Sequence, residues 1–159
     1  MRSQARSRLA VTTVPDGRSY FAYGSNMIES QMHARAPSAR LVGSARLDDF
    51  AFGIARARLR LDHKERPSAQ RKVYGLLWEV TPACEASLDR HEGVSKGAYR
   101  RDTVIVAAED GYREALVYIA TDPTTGANRY GDRWPKILDA AKRHGFPAFY
   151  LTELVSFSL

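Results

Sequence analysis

Two short segments of this chain carry residues that could do acid–base chemistry. Residues 20–26 read Tyr-Phe-Ala-Tyr-Gly-Ser-Asn, an apolar strand that stops at a glycine turn, and residues 88–94 read Leu-Asp-Arg-His-Glu-Gly-Val, with Glu92 directly before a glycine. Backbone N–H groups at a turn can hold a carbonyl oxygen or an anion. A carboxylate that retains a proton near neutral pH can serve as acid and base. Together the segments predict an acid–base site that needs no metal.

Glu92 is predicted to lie in the last turn of a helix that ends at Gly93. The negative end of the helix dipole disfavours an ionised carboxylate, so the pKa of Glu92 should rise, and burial would act in the same direction. The alternative is a solvent-facing glutamate that pairs with a nearby cation, which could be Arg90, Lys96 or Arg100.

The glycine turn at Gly24 also has two interpretations. A Gly-Ser-Asn connector between a strand and a helix is common, and the glycine then serves backbone geometry alone. In the functional interpretation, its N–H groups bind an oxygen of a substrate. No Gly-x-x-x-x-Gly-Lys-Ser/Thr sequence is present, so the turn is not a phosphate loop of that type.

Composition predicts one globular domain without disulfide bonds or a membrane-spanning helix. The 159 residues are 44% hydrophobic and 26% charged, and the apolar runs are far shorter than the roughly 20 residues of a spanning helix. We expect a flexible basic tail at 1–17 and a single domain at 18–159. The lone cysteine, Cys84, is expected to be structural and fits a reducing cytoplasm. The expected assembly is a monomer or homodimer.

The order of predicted elements favours an α+β fold. Strands are predicted at 19–23, 41–47, 49–54, 55–61, 72–80, 99–108 and 113–121. Helices are predicted at 27–36, 82–91 and 134–144, with a helix or strand at 149–157. Ser25 or Asn26 is expected to cap the first helix. Grouped strands with few helices between them predict a small mixed, mainly antiparallel β-barrel with flanking helices.

Both motifs, in this order and spacing, resemble those of the γ-glutamylcyclotransferase family (the AIG2-like and BtrG-like group). The family signature is Tyr-Gly-Ser-Asn after the first strand, here 23–26, and Leu-Asp-x-x-Glu-Gly-Val, here 88–94, followed by a tyrosine, here Tyr99. Further agreement lies at 35–37, 73–78 and 144–147, so the resemblance covers about 20–154.

The resemblance implies an antiparallel barrel with a pocket at its mouth and an enzyme without metal or cofactor. Its substrate would be a small γ-glutamyl amine or peptide, whose α-amine attacks its own γ-carbonyl and releases 5-oxoproline. Glu92 would be the general acid/base. The implied substrate-binding residues are Tyr20, Phe21, Ala22, Tyr23, Gly24, Ser25, Asn26, Tyr99 and Tyr130.

The tyrosines leave alternatives open. Tyr23 and Tyr99 could make hydroxyl contacts or could simply be half-buried barrel aromatics. A family tyrosine is expected about twelve residues before the glycine of Gly-Leu-Pro, but counting back from Gly145 gives Arg133. Tyr130 or Trp134 could line the acceptor side instead.

Other classes of function are less favoured by the residues. The rival is an RNA- or phosphate-binding module on the basic segment 56–72, but no aromatic side chain interleaves its cations to stack bases. The histidines are scattered without paired spacing, which argues against zinc. A catalytically silent member of the family is a third alternative.

Overall fold

The computed structural model describes residues 17–53, 58–61, 72–121 and 130–158. Within them, five strands form a closed barrel in the order β1-β5-β2-β6-β7. The barrel strands are β1 (Arg18–Ala22), β2 (Arg40–Asp48), β5 (Lys72–Val80), β6 (Tyr99–Ala108) and β7 (Gly111–Ala120). Their pairings are antiparallel except that β1 runs parallel to β7, where Tyr20 pairs with Leu116. The predicted mixed, mainly antiparallel barrel is confirmed.

Four helices and a small second sheet accompany the barrel in the described part of the chain. The helices are α1 (Glu29–Arg35), α2 (Pro82–Glu92), α3 (Arg133–Arg143) and α4 (Ala148–Val155), and β3 (Phe50–Gly53) pairs with β4 (Arg58–Leu61). None of the helices described is long and apolar enough to cross a membrane. The predicted tail at 1–17 lies, except for residue 17, outside the described residues, as does most of the basic segment 56–72.

Strand β5 has the bounds expected from its sequence. It lies between β1 and β2, and six of its nine residues are buried while the other three are partly exposed, so both faces of the strand are covered. A strand buried on both faces reads as a continuous apolar run rather than an alternating one. Gly75 lets the two backbones approach closely, since a Cβ at this position would lie 2.4 Å from the carbonyl oxygen of Ala22.

Helix α2 begins and ends on the residues that the sequence indicates. The Thr81 hydroxyl accepts a hydrogen bond from the Cys84 N–H at 3.2 Å, and Pro82 occupies the first turn. Gly93 ends the helix in the left-handed conformation, with φ of 65°. A hydroxyl cap, an early proline and a terminal glycine are the usual helix boundaries. They make Glu92 the last residue of α2.

The predicted capping of the first helix by Ser25 or Asn26 is wrong. A single 3-10 turn, Ser25–Met27, follows β1, and α1 begins only at Glu29 without a side-chain cap. The two side-chain oxygens are bonded to other side chains, because Gln31 donates to Ser25 Oγ at 2.7 Å and to Asn26 Oδ1 at 3.0 Å. Tertiary contacts thus replace the local cap.

Candidate functional site

A cavity of about 240 Å³ opens at one end of the barrel. Strands β1 and β7 are parallel and both end there, and β6, antiparallel to β7, begins there. The end of α2 and the start of α3 complete the wall. The residues that line the cavity are Tyr20, Tyr23, Gly24, Ser25, Asn26, Arg35, His91, Glu92, Tyr99, Tyr118, Tyr130 and Arg133.

Glu92 faces this cavity rather than the solvent outside α2. Burial raises the pKa of its carboxyl above the ordinary value, against the opposing influence of Arg35 and Arg133. Desolvation disfavours the charged carboxylate and thereby favours a bound proton. The alternative in which Glu92 pairs with Arg90, Lys96 or Arg100 on the surface is therefore wrong.

Asn26 connects the glycine turn to Glu92. It is 3% exposed, and it is the one amide or charged side chain that is buried among the residues described. Its Nδ2 donates to the Tyr20 hydroxyl at 3.0 Å and, at 3.4 Å, to Glu92 Oε1. Its Oδ1 accepts from Gln31 and, at 3.1 Å, from Arg35 Nη1. A buried amide with all these partners fixes the turn relative to the carboxylate.

Helices α1 and α2 are also joined by a direct bond near the cavity. The Ser87 hydroxyl donates to the carbonyl oxygen of Arg35 at 2.6 Å. This contact holds the end of α1, and with it the half-buried Arg35 side chain, beside the last turn of α2. In the part of the chain that the structure describes, the cavity wall thus contains one carboxylate, that of Glu92, and two guanidinium groups, those of Arg35 and Arg133.

Tyr20 and Tyr23 remain protonated at neutral pH. Burial, reinforced by the charge of Glu92, raises the pKa of Tyr20, and burial also raises the pKa of Tyr23 well above its usual value. The Tyr23 hydroxyl donates to the carbonyl oxygen of Tyr118. Tyr118 in turn donates to Asp89 Oδ1 at 2.7 Å, which holds its ring against Tyr20 with the centroids 5.6 Å apart. These bonds make the aromatic wall rigid.

The backbone at Gly24 has φ of −121° and ψ of −133°. Gly24 directly precedes the 3-10 turn Ser25–Met27, which brings Ser25 and Asn26 to the cavity.

Most of the predicted site residues meet at the cavity, but two do not line it. Tyr20, Tyr23, Gly24, Ser25, Asn26, Glu92, Tyr99 and Tyr130 line it. Phe21 and Ala22 are 0% and 1% exposed and belong to the core. Phe21 lies on the strand face opposite Tyr20, because successive residues of a strand point to opposite faces. Ala22 lies on the same face as Tyr20 but is not among the residues that line the cavity. Of the two aromatics left open, Tyr130 lines the cavity, whereas Trp134 is buried and donates to Ser158 Oγ at 2.9 Å.

Four lining residues were not among the predicted site residues. Tyr118 lies in a stretch of β7, residues 115–120, that is buried at every position, so no alternation in the sequence marked it as a residue that faces the cavity. Arg35 and Arg133 lie on helices whose placement a sequence pattern does not give. His91 is exposed and contacts the Ser87 carbonyl oxygen through Nδ1 at 2.9 Å, and it also lines the rim of the cavity.

The described residues contain no group of three or more His, Cys, Asp or Glu side chains arranged to hold a metal ion. Cys84 lies apart from the cavity, buried, with its thiol 3.1 Å from the Ser38 hydroxyl. Lys72, the end of the basic segment, pairs with Asp48 at 3.1 Å. This ion pair gives Lys72 a structural role.

Comparison with known proteins matches this site to a family. Residues 72–154 match the model of the AIG2-like family. The γ-glutamylcyclotransferase of Homo sapiens is 30% identical, in an alignment that covers 94% of this chain and 85% of that protein. The chain belongs to the γ-glutamylcyclotransferase family.

Two further relatives agree with this family. The γ-glutamylcyclotransferase of Bos taurus is 34% identical over 60% of this chain, a region that spans 56% of the bovine protein. A solved structure of a γ-glutamyl cyclotransferase superposes with a TM-score of 0.76 at 28% identity, covering 89% of this chain and 88% of that one. The barrel and its surrounding helices are therefore those of the γ-glutamylcyclotransferase family.

Proposed function

We propose that this protein cyclises the γ-glutamyl group of a small γ-glutamyl amine or peptide, with release of 5-oxoproline. The observation that carries the proposal is the half-buried Glu92 carboxyl, which faces the cavity beside Asn26 and Tyr20 and whose pKa is raised by burial. A base with an elevated pKa can take a proton near neutral pH and later return it. The relatives named γ-glutamylcyclotransferase support the same reaction.

In the proposed reaction, Glu92 first accepts a proton from the substrate's α-ammonium group. The freed amine attacks the γ-carbonyl carbon, so that a C–N bond closes a five-membered ring and the carbonyl oxygen becomes an oxyanion. The bond to the leaving nitrogen then breaks. Glu92 delivers the first proton to that nitrogen. After ring closure the ring nitrogen loses a second proton, which the leaving amine also takes up. The leaving amine therefore departs as an ammonium ion, and the lactam retains one N–H.

The cavity residues have matching roles in this proposal. Arg35, the less exposed of the two guanidinium groups, binds the α-carboxylate. N–H groups of the Gly24–Ser25 turn and protonated tyrosine hydroxyls such as that of Tyr20 hold the carbonyl oxygen. Since both reacting groups belong to one molecule, positioning alone can contribute up to about 7–11 kcal/mol to lowering the barrier.

The experiment that tests the function measures 5-oxoproline from purified protein. The substrates are γ-glutamyl-alanine, γ-glutamyl-ethylamine and a γ-glutamyl tripeptide, each with and without a metal chelator. We expect release from at least one of them, unaffected by the chelator, because the mechanism uses only positioning and proton transfer. If none of the substrates yields 5-oxoproline, cyclase activity on these classes is refuted; salt-sensitive RNA binding by the same preparation would then favour the rival.

The pH dependence should reveal the altered ionisation of Glu92. The carboxylate form is the base, so kcat/KM should fall as the pH drops through the pKa of Glu92 in the free enzyme. Because burial raises that pKa, we expect the midpoint of this acid limb above the ordinary glutamate value of about 4.3. The measurement is kcat/KM between pH 4 and 8 at constant ionic strength. A midpoint at or below the ordinary value would contradict a buried base.

Asn26→Asp should move the acid limb further towards neutral pH. The substitution keeps the shape of the side chain but replaces an amide, 3.4 Å from Glu92 Oε1, with a negative charge. A neighbouring like charge disfavours ionisation of Glu92 and raises its pKa. We expect an upward displacement of about one pH unit, the usual spread of protein carboxyl pKa values. Asn26→Ala is the control, since it removes the amide without adding charge; an equal displacement in both variants would show that charge is not the cause.

A further inference from the structure

The guanidinium group of Arg133 lies at the mouth of the cavity. Arg133 is the first residue of α3, its side chain is exposed, and its Cζ lies 5.4 Å from the centroid of the Tyr130 ring. Its charge acts on the interior as well, because it helps to lower the pKa of Glu92 against the effect of burial. Arg133 forms no ion pair with any residue that the structure describes. It is therefore open to an anionic ligand.

The charges of the cavity wall exceed what a γ-glutamyl head group can match. Of the described residues, two with guanidinium groups and one with a carboxylate face the cavity, and these leave one positive charge in excess. The head group is a zwitterion, whose ammonium group pairs with Glu92 and whose α-carboxylate pairs with Arg35. Arg133 is then without a counter-charge from the head group.

The depth of each group indicates which part of the substrate meets Arg133. Glu92 and Asn26 lie in the enclosed part of the cavity, whereas Arg133 is exposed at its rim. The reacting head group must reach Glu92, so the leaving group extends from the γ-carbonyl towards the rim. The planar guanidinium group of arginine binds a carboxylate in bidentate fashion, through two N–H donors.

We propose that Arg133 is a specificity-determining residue that selects γ-glutamyl substrates whose leaving group carries a carboxylate. Such substrates are γ-glutamyl amino acids and peptides, as opposed to γ-glutamyl alkylamines. The inference rests on the proposed cyclisation and adds to it a basis for the choice of leaving group.

Two substrates that differ only in this carboxylate test the proposal. γ-Glutamyl-alanine and γ-glutamyl-ethylamine share the head group and the first carbons of the leaving group. For the unmodified protein we expect kcat/KM to favour γ-glutamyl-alanine by about tenfold, which corresponds to about 1.4 kcal/mol. In Arg133→Gln the ratio should fall to within about twofold of one. Any change in Glu92 ionisation cancels in the ratio, since both substrates present the same head group.

Lys136→Gln is the matched control for net charge. Lys136 is exposed one turn further along α3 and does not line the cavity, so its loss should leave the tenfold preference in place. Three results would overturn the inference while leaving cyclisation intact: no preference in the unmodified protein, a preference retained in Arg133→Gln, or an equal collapse in both variants. Absence of 5-oxoproline from both substrates would instead overturn the proposed function, and the inference with it.

Discussion

Glu92→Gln is expected to lower kcat for 5-oxoproline release by about 10³-fold, within the range that a general acid–base group contributes. Glutamine has the shape of glutamate but cannot accept the α-ammonium proton. Its amide carbonyl can still accept the hydrogen bond from Asn26 that Glu92 receives at 3.4 Å. The measurement is single-substrate kinetics on the γ-glutamyl compound that the unmodified protein turns over fastest.

The stability of this variant separates lost chemistry from lost structure. The folded protein raises the pKa of Glu92, so ionisation of Glu92 opposes folding above that pKa, and the penalty disappears below the pKa of the unfolded chain. Glu92→Gln should therefore have an equal or higher Tm than the unmodified protein at pH 7. The difference in Tm should shrink as the pH falls below the ordinary glutamate value.

Glu109→Gln serves as the control, because Glu109 is exposed in the β6–β7 turn and does not line the cavity. It should retain full activity. If Glu92→Gln kept most of its activity with the same fold, Glu92 would not be the base.

Gly75→Ala is expected to reduce the free energy of unfolding by about 3 kcal/mol, the upper part of the usual range for overpacking. The added methyl group would lie 2.4 Å from the Ala22 carbonyl oxygen and 2.9 Å from the Phe21 ring. The carbonyl oxygen belongs to the β1–β5 ladder, in which Ala22 pairs with Leu76. It cannot move away without disturbing that pairing, and β1 leads directly into the cavity turn. Urea unfolding followed by circular dichroism measures the loss.

Gly43→Ala separates this clash from backbone strain. A Cβ at Gly43 would meet nothing within 4 Å, although its φ of +153° disfavours residues with a side chain. We expect Gly43→Ala to reduce the free energy of unfolding by only about 1 kcal/mol, through backbone strain alone. Equal losses in both variants, or an unfolding free energy in Gly75→Ala close to that of the unmodified protein, would refute the clash.

Local signals in the sequence were sufficient to predict strand β5 and helix α2, the helix that carries Glu92. Strand β5 has its predicted bounds, and α2 begins at the predicted Pro82 and ends before the predicted stop at Gly93. Predictions based on local capping failed at Ser25 and Asn26, because their oxygens bond to Gln31 and, for Asn26, also to Arg35. Side-chain partners from the next helix outweighed the backbone N–H groups nearby.

Short-range signals were enough to predict the two motifs, the helix with Glu92 in its last turn, and the class of the fold, because caps, stops and apolar periodicity act between near neighbours. Long-range packing turns Glu92 inward, 66 positions along the chain from the Asn26 amide that it contacts. It also decided that Phe21 and Ala22 belong to the core and that Arg35, Tyr118 and Arg133 complete the cavity. Burial is what raises the pKa of Glu92, and burial depends on which distant segments close around a residue.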